Sequence, residues 1–283
     1  MLIFVFALYY FSAVGCFGQS LDEVCGISKY PDAGRVPVEG GRTRRIVGGV
    51  PARENEYPWV ILMDWFDGNN WDQNCGAVLI DNRWALSARH CTYANDPASD
   101  YELYTKNHWR FPSNDGVAYT PEVIIRHPDY DENTYENDLV MFKFPQNLTF
   151  DDDLRPICLP PRNDSSSYVG QTVIIAGWGN EERNGPSPEQ LLYTDMEVID
   201  YDTCALMLMP DVVFPTTNIC VLGNGKDAGD GDSGSVHFYK RPDGRFEGIG
   251  IQSWGHWPAG ERPSVIVRIS EYYDWIDEVR ANN

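Results

Sequence analysis

The chain has 283 residues, with 42 acidic and 22 basic side chains and a formal net charge of −20 at pH 7. An apolar fraction of 42%, with 9 tryptophans, 16 tyrosines and 12 phenylalanines, supplies a sizeable core and argues against intrinsic disorder. A pI near 4.5 repels phosphate backbones, so nucleic acid is not an expected partner, and the lack of a repeat excludes collagen-like or coiled-coil organisation.

Residues Met1 to Gly15 form an apolar run, too short for a membrane helix of roughly 20 residues. Small residues follow at Ala13, Gly15 and Gly18. Residues 1–18 therefore read as a secretory signal peptide, although no Lys or Arg opens them. Secretion outside the cell follows, without stable membrane insertion. The count of seven cysteines would leave one thiol over in an oxidised chain. Cleavage after Gly18 removes Cys16 and leaves Cys25, Cys75, Cys91, Cys158, Cys204 and Cys220 for an oxidising compartment.

Residues 19–45 are polar and Gly-rich, hold Cys25, and end in Arg42-Thr43-Arg44-Arg45. Ile46-Val47-Gly48-Gly49 follow at once, an abrupt switch from charged to apolar and flexible residues. The bland reading is an exposed basic linker. The sharper one is a pro-region whose extended end enters the cleft of an activating protease that cuts at Arg45.

Residues 46–283 are dominated by short β-like runs: Trp59 to Met63, Ala77 to Ile80, Arg83 to Ser87, Glu122 to Ile125, Leu139 to Phe144, Gln171 to Ala176, Ser235 to Tyr239 and Phe246 to Trp254. Turn dipeptides such as Asp67-Gly68, Asn224-Gly225 and Asp243-Gly244 separate many of them. This spacing predicts an all-β barrel or sandwich. Over Ser270 to Arg280, Tyr272, Trp275, Ile276 and Val279 share one helical face, which predicts a terminal helix.

Three local patterns carry chemistry together: Ala85-Leu86-Ser87-Ala88-Arg89-His90-Cys91, then Tyr135-Glu136-Asn137-Asp138-Leu139-Val140-Met141-Phe142, then Gly229-Asp230-Gly231-Asp232-Ser233-Gly234. None is specific alone. A serine hydroxyl is a poor nucleophile at neutral pH and needs a base within hydrogen-bond reach, and the base needs an orienting acid. His, Asp and Ser stand here in the order His90, Asp138, Ser233.

With IVGG at 46–49, NDLVMFKF at 137–144, LRPICLP at 154–160, GWG at 177–179, GDSG at 231–234, SWG at 253–255 and YYDWI at 272–276, the sequence resembles secreted trypsin-like zymogens of the chymotrypsin-type serine protease family. The resemblance covers residues 46–283 and implies two six-stranded antiparallel β-barrels with the active site between them and a C-terminal helix. It implies Ser233 as nucleophile, His90 as base and Asp138 as its partner, with the N–H groups of Gly231 and Ser233 as oxyanion hole. Cutting between Arg45 and Ile46 would create an α-ammonium that pairs with Asp232. Asp227 would floor the specificity pocket and favour Arg or Lys before the scissile bond. Ser253, Trp254 and Gly255 would line the edge that pairs with substrate. Ser264 replaces a family glycine on the pocket wall, where it would narrow the pocket or alter the Arg/Lys preference.

Six cysteines allow fifteen pairings, which spacing alone does not resolve. The resemblance implies Cys25–Cys158, Cys75–Cys91 and Cys204–Cys220, the first keeping the pro-region attached as a light chain. Two family bridges are absent with both partners: one at Gly229, one at Val173 and Tyr239. The first loss predicts looser specificity loops. Arg89, Ser235 and Val236 also depart from the family pattern. Asn147 and Asn163 begin N-glycosylation sequons. No cofactor or metal is expected, and Asp129, Asp131, Glu132 and Glu136 read as a solvated acidic face. Expected partners are a peptide or protein substrate, the activating protease and macromolecular serine protease inhibitors. The departures keep two alternatives open: a catalytically weak homologue with a binding role, and an active protease of non-tryptic specificity.

Overall fold

A computed structural model describes residues 20–34, 48–110, 115–162, 164–180, 182–183, 185–208 and 216–283. The expected signal peptide, Cys16, Arg45, Ile46 and Asn163 lie outside the described residues.

The first half contains β1 (Val50–Pro51), β2 (Val60–Phe66), β3 (Trp71–Leu79), β4 (Trp84–Ser87), β5 (Tyr101–Thr105), β6 (Val117–Tyr119), β7 (Val123–Arg126) and β8 (Val140–Lys143). The second contains β9 (Thr172–Gly177), β10 (Leu192–Ile199), β11 (Asn218–Leu222), β12 (Val236–Lys240), β13 (Phe246–Trp254) and β14 (Ser264–Arg268). One sheet runs β6-β5-β2-β3-β4-β8-β7, and the other runs β1-β10-β11-β14-β13-β12-β9 with β9 also paired to β10. Every pairing between named strands is antiparallel.

Each sheet closes into a barrel of six staves. In the first, β6 and β7 are two pieces of one stave, interrupted around Pro121, which has no N–H for the ladder. In the second, the β9–β10 pairing closes the ring, and the two-residue β1 is an added edge. The expected fold class, two six-stranded barrels followed by a helix, is the one observed. The terminal helix α3 (Tyr273–Asn282) follows a 3₁₀ turn, Ile269–Tyr272, and buries Ile276 and Val279. Two further helices, α1 (Leu21–Val24) and α2 (Tyr201–Leu208), had no periodic signal strong enough to mark them.

Aromatic residues join the barrels. Tyr57 and Trp59, just ahead of β2, meet Phe238 of β12 with ring centroids 5.0 and 5.3 Å apart. Phe246 of β13 completes the group, 5.4 Å from Trp59. Such pairs contribute about 0.5–1.5 kcal/mol each beyond their buried area, and they fix one barrel against the other. A separate apolar cluster of Val173, Ile175, Met196, Val198, Ile219, Val221, Ile249 and Ile266 fills the second barrel.

Residues 20–34 are docked on the two-barrel body. Gly26 N–H donates to Pro156 O at 2.8 Å, and Phe246 N–H donates to Gly26 O at 2.7 Å. Val24 and Ala33 are buried, and Lys240 Nζ donates to Pro31 O at 2.7 Å. Among the described residues no helix is long and apolar enough to cross a membrane.

Candidate active site

The ladder between β4 and β8 ends at the Ser87–Val140 pair. Just beyond it, Arg89–Cys91 form a 3₁₀ turn, and Asp138 sits two residues before Val140. That register brings His90 and Asp138 together. His90 Nδ1 lies 2.7 Å from Asp138 Oδ2, and His90 N–H donates to Asp138 Oδ1 at 2.8 Å. Ser253 Oγ–H donates to Oδ2 at 2.6 Å. Asp138 is fully buried, so these three donors replace its lost hydration.

The approach to Asp138 is held in an uncommon backbone conformation. Tyr135 and Asn137 have φ of 56° and 57°, in the left-handed region that bulky residues seldom occupy. Asn137 is anchored by its Nδ2 donating to Asp129 O at 2.9 Å and by Tyr272 Oη donating to its Oδ1 at 3.2 Å. The Tyr135 ring stands edge-on to His90, with centroids 5.7 Å apart. Both residues fall within the sequence pattern around Asp138, but nothing in that pattern signals their left-handed backbone.

Ser233 lies on the turn between β11 and β12, clamped by both barrels. Its carbonyl accepts from Gly76 N–H of β3 at 2.7 Å, and Gly234 N–H donates to Gln252 O of β13 at 2.9 Å. Gly234 has φ of 79°, and a Cβ there would stand 2.1 Å from Ser87 Oγ and 2.3 Å from Gly76 O. Only glycine fits that position. No hydrogen bond joins Ser233 Oγ to His90; His90 Nε2 lies 3.9 Å from Cys91 Sγ. His90 and Ser233 open onto two cavities. His90 lines an open cleft with Arg89, Tyr93 and Tyr135, while Ser233 lines a smaller pocket.

That pocket, about 110 Å³, gathers Asp227, Ser253, Trp254, Gly255 and Ser264 beside Ser233. Asp227 is 1% exposed. Its Oδ1 accepts from Ser264 Oγ–H at 2.7 Å and Ala228 N–H at 2.8 Å, and its Oδ2 accepts from Gly260 N–H at 3.0 Å. Burial raises its pKa above the ordinary carboxyl value, against the pull of those donors.

Asp232 faces inward, fully buried, with Oδ1 accepting from Gly179 N–H at 2.7 Å and Oδ2 from Gly229 N–H at 2.8 Å. Burial pushes its carboxyl up to about 6. Gly231, immediately before it, has φ of 101°.

The cysteines are joined as Cys25–Cys158, Cys75–Cys91 and Cys204–Cys220. Cys75, His90 and Cys91 bring ligand atoms within 4.8 Å of one another, but both sulfurs are consumed in a disulfide and offer no thiolate to a metal. Where the family bridges at Gly229, a Cβ here would stand 1.8 Å from Asn180 O. Tyr239 and Val173 stand one step beyond the Phe238–Ile174 pair of the β9–β12 ladder, and Tyr239 Oη donates to Glu247 instead. Ser235 fits because Gly76 faces it: a Cβ on Gly76 would stand 2.1 Å from Ser235 Oγ. Arg89 donates to Thr92 O and lies 5.2 Å from the Tyr130 ring centroid. Asn147 is exposed.

One polar pair escaped the sequence reading. His237 of β12 and Gln252 of β13 are buried, with His237 Nε2 2.8 Å from Gln252 Oε1. The Gln252 amide nitrogen turns toward Trp254 O at 3.5 Å, which assigns the proton to His237 Nε2. Gln252 lines the pocket beside Ser233. Burial lowers the His237 pKa to about 4.

Two closed antiparallel barrels meeting at a buried aspartate paired with a cleft-facing histidine, braced by the Cys75–Cys91 bridge, define a chymotrypsin-type serine protease domain. A family model described as Trypsin matches residues 46–276, and the chain belongs to that family. It is 29% identical to mannan-binding lectin serine protease 1 of Homo sapiens over 93% of this chain and 38% of that protein. It is 28% identical to the proclotting enzyme of Tachypleus tridentatus, over 92% of this chain and 69% of that protein. It is 31% identical to the suppressor of tumorigenicity 14 protein homolog of Bos taurus, over 83% of this chain and 28% of that protein.

Proposed function

We propose that the chain is the precursor of a secreted endopeptidase that hydrolyses peptide bonds after Arg or Lys once it is cut between Arg45 and Ile46. The carrying observation is the pocket floored by Asp227 beside Ser233, on a turn clamped next to the His90–Asp138 pair.

In this reading Ser233 Oγ attacks the scissile carbonyl carbon while His90 Nε2 takes its proton. Asp138 holds the imidazole by Nδ1 and stabilises the imidazolium. The carbonyl oxygen becomes an oxyanion facing the N–H groups of Gly231 and Ser233, each such donor being worth about 3 kcal/mol in the transition state. The C–N bond then breaks, the amine leaves with the proton from His90, and an ester joins the substrate acyl group to Ser233. Water, deprotonated by His90, attacks that ester and restores Ser233. Ser253, Trp254 and Gly255 supply the edge along which substrate lies.

Residues 1–18 serve as signal peptide and 19–45 as pro-region, retained through Cys25–Cys158 after cleavage. The new ammonium of Ile46 pairs with the buried Asp232 carboxylate and orders the loops around Ser233. Asn147 and Asn163 carry N-linked glycans. The partners are the activating protease, peptide or protein substrates, and macromolecular inhibitors that enter the same cleft.

The test is cleavage at Arg45 followed by matched fluorogenic peptides with Arg, Lys or a neutral residue before the scissile bond. Hydrolysis of the basic peptides is expected. No hydrolysis of any peptide by a cleaved, folded protein would overturn the reading. The departures in the pocket and loops, at Arg89, Gly229, Ser235, Val236 and Ser264, motivate a second reading, a catalytically weak homologue with a binding role. Stoichiometric labelling of Ser233 by a fluorophosphonate counts against that one.

A further inference from the structure

We propose that the cavity between the docked segment 20–34 and the two-barrel body is a binding site for an aliphatic carboxylate. Among the described residues it shares no lining side chain with the pocket beside Ser233 or the cleft at His90, so it is separate from the site of the reaction proposed above.

The first observation is shape. The cavity encloses about 390 Å³, within the roughly 300–1,000 Å³ usual for small-ligand sites. Its walls come from separate parts of the chain: Leu21 and Asp22 of α1, the Cys25–Cys158 bridge, the Ile157–Pro161 run, the turn between β12 and β13, and α3. Ile80, Ile157, Leu159 and the Tyr273 ring give those walls apolar surface. Leu21 is still 38% exposed although its helix is docked, so its side chain offers further apolar area to a ligand.

The second is charge. Arg241, Arg245 and Arg280 converge on this cavity, three of only 22 basic side chains in a chain of net charge −20. The acids that hold them lie outside the lining: Asp243 and Glu247 for Arg241, Asp243 again for Arg245, Asp81 and Asp277 for Arg280. Asp22 is the one acid in the lining among the described residues, so three cations face one anion there. Each guanidinium has five N–H donors, and not all are spent. Arg245 Nη1 donates to Asp22 O, while its Nη2 has no partner among the described residues. Arg280 Nε is likewise unpartnered, and its Nη2 stands 2.9 Å from Asp81 Oδ2 without an aligned hydrogen bond. A carboxylate accepts two such N–H groups side by side.

The third is the main chain of the wall, whose hydrogen-bonding groups are largely spent. Ile157 N–H donates to Leu79 O at 3.0 Å, Cys158 N–H donates to Phe246 O at 3.3 Å, and Cys158 O accepts from Gly248 N–H at 2.9 Å. Pro160 and Pro161 have no N–H, and Pro160 O accepts from Tyr273 Oη–H. A peptide seated here would bury its own N–H and C=O groups without partners, a cost that a hydrocarbon chain does not meet. Arginine donors beside apolar walls therefore fit a carboxylate on an aliphatic tail. Such a ligand touches Leu21 and the body at once, and so ties the docked segment to the barrels.

The test titrates octanoate into the intact, uncleaved chain by calorimetry, with acetate as the charge alone and octanol as the chain alone. One saturable site is expected, about tenfold or more tighter for octanoate than for either control, and octanoate is expected to raise Tm. Arg245→Gln and Arg280→Gln are each expected to weaken octanoate about tenfold and to leave octanol unchanged. Should neither variant fold, Leu21→Asp carries the test: it changes an exposed wall residue, and the added carboxylate is expected to weaken octanoate about tenfold or more. No saturable binding of octanoate up to about 10 mM overturns the proposal. Octanol binding as tightly as octanoate overturns it too, and so does an affinity unmoved in all the folded variants. Tighter binding of the peptide carboxylate N-acetyl-dileucine than of octanoate overturns the aliphatic ligand in favour of a peptide C-terminus.

Discussion

Ser253 of β13 and Asp138, just ahead of β8, are joined across the two barrels by a 2.6 Å hydrogen bond from Ser253 Oγ–H to Asp138 Oδ2. The same oxygen faces His90 Nδ1, so the second barrel helps set the acid that orients the histidine. A hydrogen bond to a charged group contributes about 1.5–3 kcal/mol, or roughly 10- to 100-fold in rate if the bond matters most in the transition state. Ser253→Ala keeps the backbone edge and removes only the hydroxyl. It is expected to lower kcat by about tenfold or more with KM little changed, and to slow fluorophosphonate labelling in parallel. Unchanged kcat would show that Asp138 needs only its two bonds to His90.

The buried groups His237 and Asp232 oppose each other in acid. His237 stays neutral in the fold until about pH 4, whereas an unfolded histidine titrates near 6.5. Its stability is fully present above about 6.5 and is lost as pH falls through about 4. Asp232 is shifted the other way, to about 6 from 3.8, so its stability is present below 3.8 and is lost as pH rises through about 6. Each shift corresponds to about 3 kcal/mol, so in uncleaved protein the two nearly cancel between roughly pH 4 and 6.5. His237→Gln should unmask a fall in stability with rising pH over that window, and Asp232→Asn a rise. Urea unfolding of both variants at three pH values measures this. Slopes of the same sign, referenced to wild type, would refute the assignment. Cleavage at Arg45 is expected to abolish the Asp232 contribution, because the new ammonium supplies its counter-charge.

Much of the site was legible because it sits in local motifs. The patterns around His90, Asp138 and Ser233 are contiguous, and apolar runs such as Val60–Met63 mark the barrel strands that carry them. Strands without such runs were not legible. In β10 burial alternates from Thr194 to Ile199, but the buried face includes the polar Thr194 and the outer face the apolar Ile199, so the residue types do not show the pattern. The His237–Gln252 pair is invisible in sequence, because only the β12–β13 register, with its bulge after His237, brings two polar residues together inside an apolar strand pair. Ser264 lines the pocket beside Ser233, where the resemblance led one to expect it on a wall. The direction of its hydroxyl toward Asp227 is information that only the fold holds.

The tight approach at Gly229 makes the lost family bridge hard to restore. A Cβ at that position would stand 1.8 Å from Asn180 O, and Asn180 N–H itself donates to Asp230 O at 2.8 Å. A cysteine there must displace backbone on one side of the pocket. Asp227 meanwhile ties the same segment to Gly260 and Ser264, across the gap that a bridge would span. Gly229→Cys is expected to cost about 1–3 kcal/mol or more, as overpacking does, even when a partner cysteine is added opposite. A stability equal to wild type in denaturant would refute this.

Cys25–Cys158 changes its role when the chain is cut. In the intact chain it spans a sequence separation of 133 residues and restricts the unfolded chain, a contribution of about 2–4 kcal/mol. After cleavage at Arg45 it joins two separate chains and holds residues 20–34 at high effective concentration beside their dock. Among the described residues the contacts left without it are mostly part-exposed polar ones, such as Ser28 Oγ–H donating to Glu56 O at 2.6 Å, Lys240 Nζ to Pro31 O at 2.7 Å and Arg53 paired with Asp32 at 2.9 Å. They include the backbone bonds at Gly26, buried Val24 and Ala33, and the Lys29–Asp153 pair at 2.6 Å, whose partners are over a third exposed and contribute at most about 1 kcal/mol. Cleaved protein is therefore expected to run as one species without reductant and as two with it. The double variant C25A/C158A, which leaves no stray thiol, should still fold as a precursor with Tm lowered on the order of 10 °C. Once cut, that variant should lose residues 19–45 on gel filtration. Co-elution of the two pieces from the cut variant would show that the docking contacts hold the segment on their own.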